Sequence, residues 1–250
     1  MATILIPLPG TDFDPTESAV PWHVLTGAGH TVRFATPDGA PAAADPIMVT
    51  GKGLGLLAPL LMADANGREA YAAMQASAAF QKPLRYSGLR CADFDALLLP
   101  GGHAPGMKSY LESPVLQTLV AEFFASNKPV AAICHGVLLA ARSRSANGQS
   151  VLHGRKTTAL TKTLELSGWA LTCAWMGSYY RTYPQVLQDE VRSVLANPDD
   201  FVQGPMATTR DSPGNLAPGF VVQDGNYLSA RWPGDAHRFA NAFVAMLNAA

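Results

Sequence analysis

The sequence predicts a three-layer α/β fold, a mostly parallel sheet with helices on both faces, on three observations. Short apolar runs alternate with helix-like stretches from the first residues onward, the order that builds parallel sheets. Two of those runs, Ala96-Leu97-Leu98-Leu99 and Val130-Ala131-Ala132-Ile133, are apolar throughout, as strands buried on both faces are. Each is followed at once by a tight, small-residue turn: Gly101-Gly102 after the first, and Cys134-His135-Gly136 after the second.

Thr3–Pro7 is the first strand, followed by a Pro-, Gly- and Asp-bearing loop from Leu8 to Asp14. A helix is expected from Pro15 to Thr26, with Thr16 able to cap it, Glu17 in its first turn and Gly27 and Gly29 at its end. Thr31–Thr36 reads as a second strand closed by the turn Pro37-Asp38-Gly39. Ala40 to Leu54 is loop-rich. Leu56 to Met62 and Gly67 to Phe80 are read as helical. Ser113 and Pro114 open a helix running to Ala125, by a cap and a proline in the first turn. Lys156–Leu160 and Ala170–Ala174 are read as short strands, and Pro184–Leu195 as a helix. Phe220–Ala230 is read as strand, turn and strand, and Pro233–Asn248 as a closing helix. One domain over residues 1–250 is expected, with residues 175–206 as a lid or wall.

Composition narrows the function. The 250 residues carry a net charge of −1, which offers no electrostatic footing for nucleic acid or an anionic membrane. Charged residues are 15%, below the usual quarter, so part of the surface is expected to be covered in an oligomer. No basic flank with a long apolar run opens the chain, and no run reaches the length of a membrane span. Cys91, Cys134 and Cys173 are widely spaced, with no C-x-x-C. A cytoplasmic protein with free thiols is the expectation. The histidines lack ligand spacing, and neither a phosphate-binding loop nor a dinucleotide fingerprint is present, so no metal and no cofactor is expected.

The chemistry concentrates at Cys134. A strand that turns sharply into a helix with a cysteine at the corner has the layout of a nucleophile elbow. The helix N-terminus there is expected to favour the thiolate. His135 beside it is a candidate acid or base and, as imidazolium, a partner for that thiolate. Adjacent residues face each other only if Cys134 leaves regular helical geometry. Glu165 is a candidate to orient His135 through a hydrogen bond. Glu17, beyond the first strand, would share a proton with Cys134 if the two meet. The Gly102 loop and the His135 backbone N–H are candidate oxyanion donors. In doubly wound sheets the crevice lies at the carboxyl ends of the strands, where the loop after strand one with Glu17, the Gly101-Gly102 loop and Cys134 fall.

With these pieces assembled, the chain resembles the DJ-1/PfpI superfamily, of the class I glutamine-amidotransferase-like, flavodoxin-like fold. The resemblance rests on Gly10 to Gly39, on Asp95 to Gly106, on Ala132-Ile133-Cys134-His135-Gly136 and, more loosely, on Tyr227 to Pro233. It is similar above all to the Hsp31-like branch, where histidine follows the cysteine and a carboxylate comes later in a Lys- and Thr-rich run, here ending at Glu165. The resemblance implies Cys134, His135, Glu17 and Glu165 as catalytic residues and Gly102 in the oxyanion loop. It also implies cofactor-independent conversion of methylglyoxal to lactate and a homodimer. A cysteine amidase or peptidase and a redox-sensing stress protein or chaperone are the alternatives. The Cys-x-Gly-x-Gln pattern of glutaminases is absent, so glutamine hydrolysis is not expected.

Overall fold

In the computed structural model, which describes residues 1–206 and 208–249, nine strands form two sheets. The strands are β1 (Thr3–Pro7), β2 (Thr11–Phe13), β3 (Thr31–Thr36), β4 (Ala43–Ala44), β5 (Leu84–Arg85), β6 (Ala96–Leu99), β7 (Val130–Ile133), β8 (Val221–Asp224) and β9 (Tyr227–Ala230). Seven make the main sheet in the order β5-β3-β1-β6-β7-β9-β8, and β2 pairs with β4 apart from it. Every pair in the main sheet is parallel except β8 with β9, which the turn Gly225-Asn226 joins as an antiparallel hairpin.

The central strands are apolar along their length because helices cover both faces. β6, β7 and β9 are buried at every position. The chain leaves β1 toward β3 on one side and later returns to β6 on the other. That reversal opens a crevice at the carboxyl ends of β1, β6 and β7, where no crossover covers it.

The Pro15–Gly27 helix starts at this crevice. Its cap is Asp14 rather than Thr16: the Asp14 carboxylate accepts from the N–H groups of Thr16 and Glu17 at 2.8 and 3.0 Å. Thr16 instead falls in the first turn, because Pro15 takes the first helical position, which needs no N–H donor. The helix after β7 runs from Gly136 to Arg142. A Cβ at Gly136 would lie 2.1 Å from the Leu99 carbonyl oxygen, so only glycine lets this helix start so close to β6.

The second half departs furthest from the sequence expectation. Ala170–Ala174 is no strand but part of a helix from Lys162 to Met176, capped by the Thr161 hydroxyl. A short apolar run has no decisive period, and here length and cap decide. Lys156–Leu160 forms no strand, only a bridge between Thr157 and Phe201. Ser77 breaks the Gly67–Phe80 stretch into helices Ala65–Ala76 and Ala78–Gln81, since its hydroxyl caps the second. The helix expected from Pro184 begins at Leu187. Among the described residues no helix is long and apolar enough to cross a membrane.

Candidate functional site

Cys134 sits where β7 ends, with φ of +56°, a conformation a cysteine adopts only under constraint. Its N–H stays in the sheet, donating to the Ala230 carbonyl at 3.1 Å. The left-handed turn swings the side chain back over the strand ends and brings Sγ to 3.5 Å from its neighbour's Nδ1 in His135. Regular helix geometry would keep the two apart.

The hydrogen-bond order around His135 fixes its tautomer. The Thr182 hydroxyl donates to the carbonyl oxygen of His103 at 2.7 Å, which uses its only proton. Its contact with His135 Nε2 at 3.2 Å is therefore one in which the imidazole N–H donates. Nδ1 is left as a bare acceptor facing the Cys134 sulfur. Burial, with His103 and Arg142 adding to it, lowers the His135 pKa to about 3, so the ring is neutral at pH 7. This corrects two sequence expectations. His135 is no imidazolium partner for a thiolate, and Glu165 does not orient it.

Glu165 is occupied elsewhere. Its Oε2 accepts from the Leu187 N–H at 2.8 Å and its Oε1 pairs with Arg181 at 3.3 Å. It lines the crevice, but Thr182 holds the position at His135 that the sequence reading gave to it.

Glu17 is fully buried. Its Oε2 accepts from the Gly101 N–H at 3.0 Å, its carboxyl meets the Cys134 thiol, and its Oε1 has no partner among the described residues. A Cβ on Gly101 would fall 2.5 Å from Glu17 Oε2, 2.7 Å from the His135 nitrogen and 2.9 Å from Cys134 Cβ. Glycine there is what lets carboxyl, thiol and helix start converge. Burial, together with the charge of Asp14, pushes the Glu17 carboxyl well above its ordinary range. Burial, with the charge of Glu17 second, also pushes the Cys134 thiol up. The His135 backbone N–H favours the thiolate, but desolvation outweighs it. The expected low-pKa thiolate is thus corrected: the resting cysteine is a thiol. Neither the Gly102 nor the His135 N–H donates to a protein group other than this sulfur among the described residues.

These groups open into a crevice of about 370 Å³. Sequence reasoning missed four residues here. Asp14, its carboxyl raised to about 6 mainly by burial, was legible as a helix-start acid before proline. Thr182, Tyr180 and Arg210 carry no local signal. Tyr180 stacks on His103 with centroids 4.2 Å apart. Arg210 donates to the Met62 carbonyl at 3.0 Å and lies over the Trp232 ring. Among the described residues no cluster of side chains suits a metal ion.

A model of the ThiJ/PfpI family-like group matches residues 8–205. A deglycase of Pyrococcus horikoshii is 26% identical over 243 residues, 96% of each chain. A glutathione-independent glyoxalase of Schizosaccharomyces pombe is 38% identical over 77 residues, covering 30% of this chain and 31% of that one. In its matches to a Pyrococcus abyssi deglycase and an Arabidopsis thaliana DJ-1 homolog the chain spans 63% and 34% of the relative's length, less than two thirds of either. Glyoxalase III of Candida albicans superposes with a TM-score of 0.67 at 17% identity, covering 98% of this chain and 96% of that one. Drosophila melanogaster DJ-1beta gives 0.58 at 18%, covering 98% and 89%. At those identities the two structures speak for the fold alone.

Proposed function

Because the chain belongs to the ThiJ/PfpI family, we propose that it is a cofactor-independent cysteine enzyme acting on small reactive aldehydes, turning methylglyoxal into lactate in the manner of a glyoxalase III. One observation carries the reading: a thiol lies between a bare imidazole nitrogen and a buried carboxyl at the floor of an open crevice. Relatives named as deglycases and as a glutathione-independent glyoxalase support it.

The resting thiol needs a base, and His135 Nδ1 is the one in place. As sulfur bonds to the aldehyde carbon, the thiol proton passes to Nδ1 and the aldehyde oxygen takes the electron pair. The Gly102 and His135 backbone N–H groups are the donors for that oxyanion. The oxyanion then takes the proton from His135, leaving a neutral hemithioacetal. In the next step Glu17, as carboxylate, removes the hydrogen from the carbon bound to sulfur. Burial makes it a stronger base than an exposed glutamate. The electron pair moves to the neighbouring carbonyl oxygen, which takes the hemithioacetal hydroxyl proton by way of His135, giving an enediolate. Glu17 returns its proton to that second carbon, and the first becomes a thioester carbonyl. Water then attacks the thioester, the carbon–sulfur bond breaks, and sulfur regains a proton. Aldehyde and water have become a 2-hydroxy acid: one carbon is oxidised, its neighbour reduced, and no external oxidant enters.

The test is lactate release from methylglyoxal without glutathione. Turnover that disappears in Cys134→Ser is expected, and a rate indifferent to that substitution, or no lactate at all, would defeat the reading.

A further inference from the structure

The crevice is far larger and more apolar than methylglyoxal requires. About 370 Å³ is the size that holds a drug-like molecule, whereas methylglyoxal offers a single methyl group to bury. Cys134, Glu17 and Gly102 mark a polar floor, and the walls above are mainly apolar, built by Met48, Leu60, Leu164, Leu171, Tyr180 and Trp232, with Glu165 and Arg210 the charged groups among them.

The apolar character continues outward. Leu60 and Leu171 line the crevice yet stand 60% and 44% exposed, and Trp175, on the same helix as Leu171, is 54% exposed. The Trp175 indole donates to the Gly53 carbonyl at 2.8 Å, which ties that helix to the segment leading to Leu60. Exposed side chains of this size are costly unless something apolar covers them. Here Leu60 and Leu171 line one opening, on two segments that the Trp175–Gly53 bond ties together.

Resting on the aldehyde reading above, we propose that the substrate carries a branched aliphatic or aromatic body beside its oxo group. The aldehyde reaches Cys134 on the polar floor, and the body lies against the leucine, methionine and tryptophan walls.

The experiment compares initial rates of 2-hydroxy acid formation from methylglyoxal, 4-methyl-2-oxopentanal and phenylglyoxal. The two larger aldehydes should show kcat/KM at least about tenfold higher, as several buried carbons allow. In Leu171→Asp that advantage should shrink at least about fivefold, whereas Val115→Gln, on an exposed site of a different helix, should leave the ratio unchanged. Equal or reversed preference, with turnover still dependent on Cys134, overturns the proposal and leaves the aldehyde reading standing. If no aldehyde is turned over, the aldehyde reading fails and alkylation decides what the walls accept. N-benzyliodoacetamide should then outpace iodoacetamide at Cys134 by more than it does at Cys173 of the same protein, read by peptide mapping. No difference between the two cysteines overturns the proposal as well.

Discussion

Two glutamates lie buried in this molecule, and they have opposite surroundings. Glu17 is fully buried with one backbone N–H, a thiol and no cation in hydrogen-bonding reach among the described residues. Glu165, 5% exposed, holds the Leu187 N–H and the Arg181 guanidinium. Burial raises both carboxyls and hydrogen bonds oppose it at both, but at Glu165 the Arg181 guanidinium also opposes it and outweighs Asp189, whereas at Glu17 a second acid, Asp14, adds to the rise. A buried acid whose charge is matched is a structural tie. One whose charge is left unmatched is a store of proton affinity, which is what a base needs.

The contrast breaks most visibly at Glu17. Glu17→Gln keeps an oxygen for the Gly101 N–H but loses the proton carrier. Aldehyde turnover should fall about 10²- to 10⁴-fold. Alkylation of Cys134 should move the other way, its midpoint shifting to lower pH, because the negative charge that raises the thiol is gone. A parallel fall in both would mean that Glu17 only holds the fold.

Glu165→Gln should do the reverse. Urea unfolding should show a loss of about 3 kcal/mol, since Arg181 and the Leu187 N–H lose a charged partner. Turnover per folded molecule should change by less than about threefold. A loss of turnover as deep as that of Glu17→Gln would erase the distinction between the two acids.

Stability against pH sharpens the picture at the neighbouring histidine. The folded His135 pKa of about 3 lies below the unfolded value near 6.5. The unfolded chain therefore binds a proton that the native site refuses, and stability falls as pH drops from about 6.5 toward 3. Between pH 7 and pH 5 the native protein should lose about 2 kcal/mol more than His135→Asn does, measured by urea unfolding at each pH. An identical pH dependence would place the ring in water.

The smallest effect concerns Thr182. Thr182→Val leaves the His135 Nε2–H without an acceptor and frees the ring to turn, so turnover should fall about tenfold, with the pH profile displaced. Thr182→Ser should restore both. A full rate in Thr182→Val would remove Thr182 from the positioning of the base.

The legible parts of the site were those encoded in adjacent residues. A nucleophile elbow is a local device: the apolar strand, the cysteine at φ of +56° and the glycine that admits the helix follow one another in the chain. Gly102 was found the same way, three residues past β6, and Glu17 as the acid in the first turn of the helix that follows the loop after β1. Thr182 and Arg210 were not legible, because nothing in residues 175–210 has a period or motif that says which strand end they cross. Glu165 was given the role of orienting His135 because a carboxylate can fill it, and packing gave that place to a hydroxyl.

By itself, then, the chain determined its parallel sheet, its corner cysteine and the neighbours that short loops bring to one edge, because hydrophobic period and turn chemistry act over a few residues. Tertiary structure alone decided the protonation states. The helix terminus at Cys134 favours a thiolate and an isolated imidazole is half charged near neutrality, but removal from water opposes both ions. How much water each group loses is set by side chains far away in sequence.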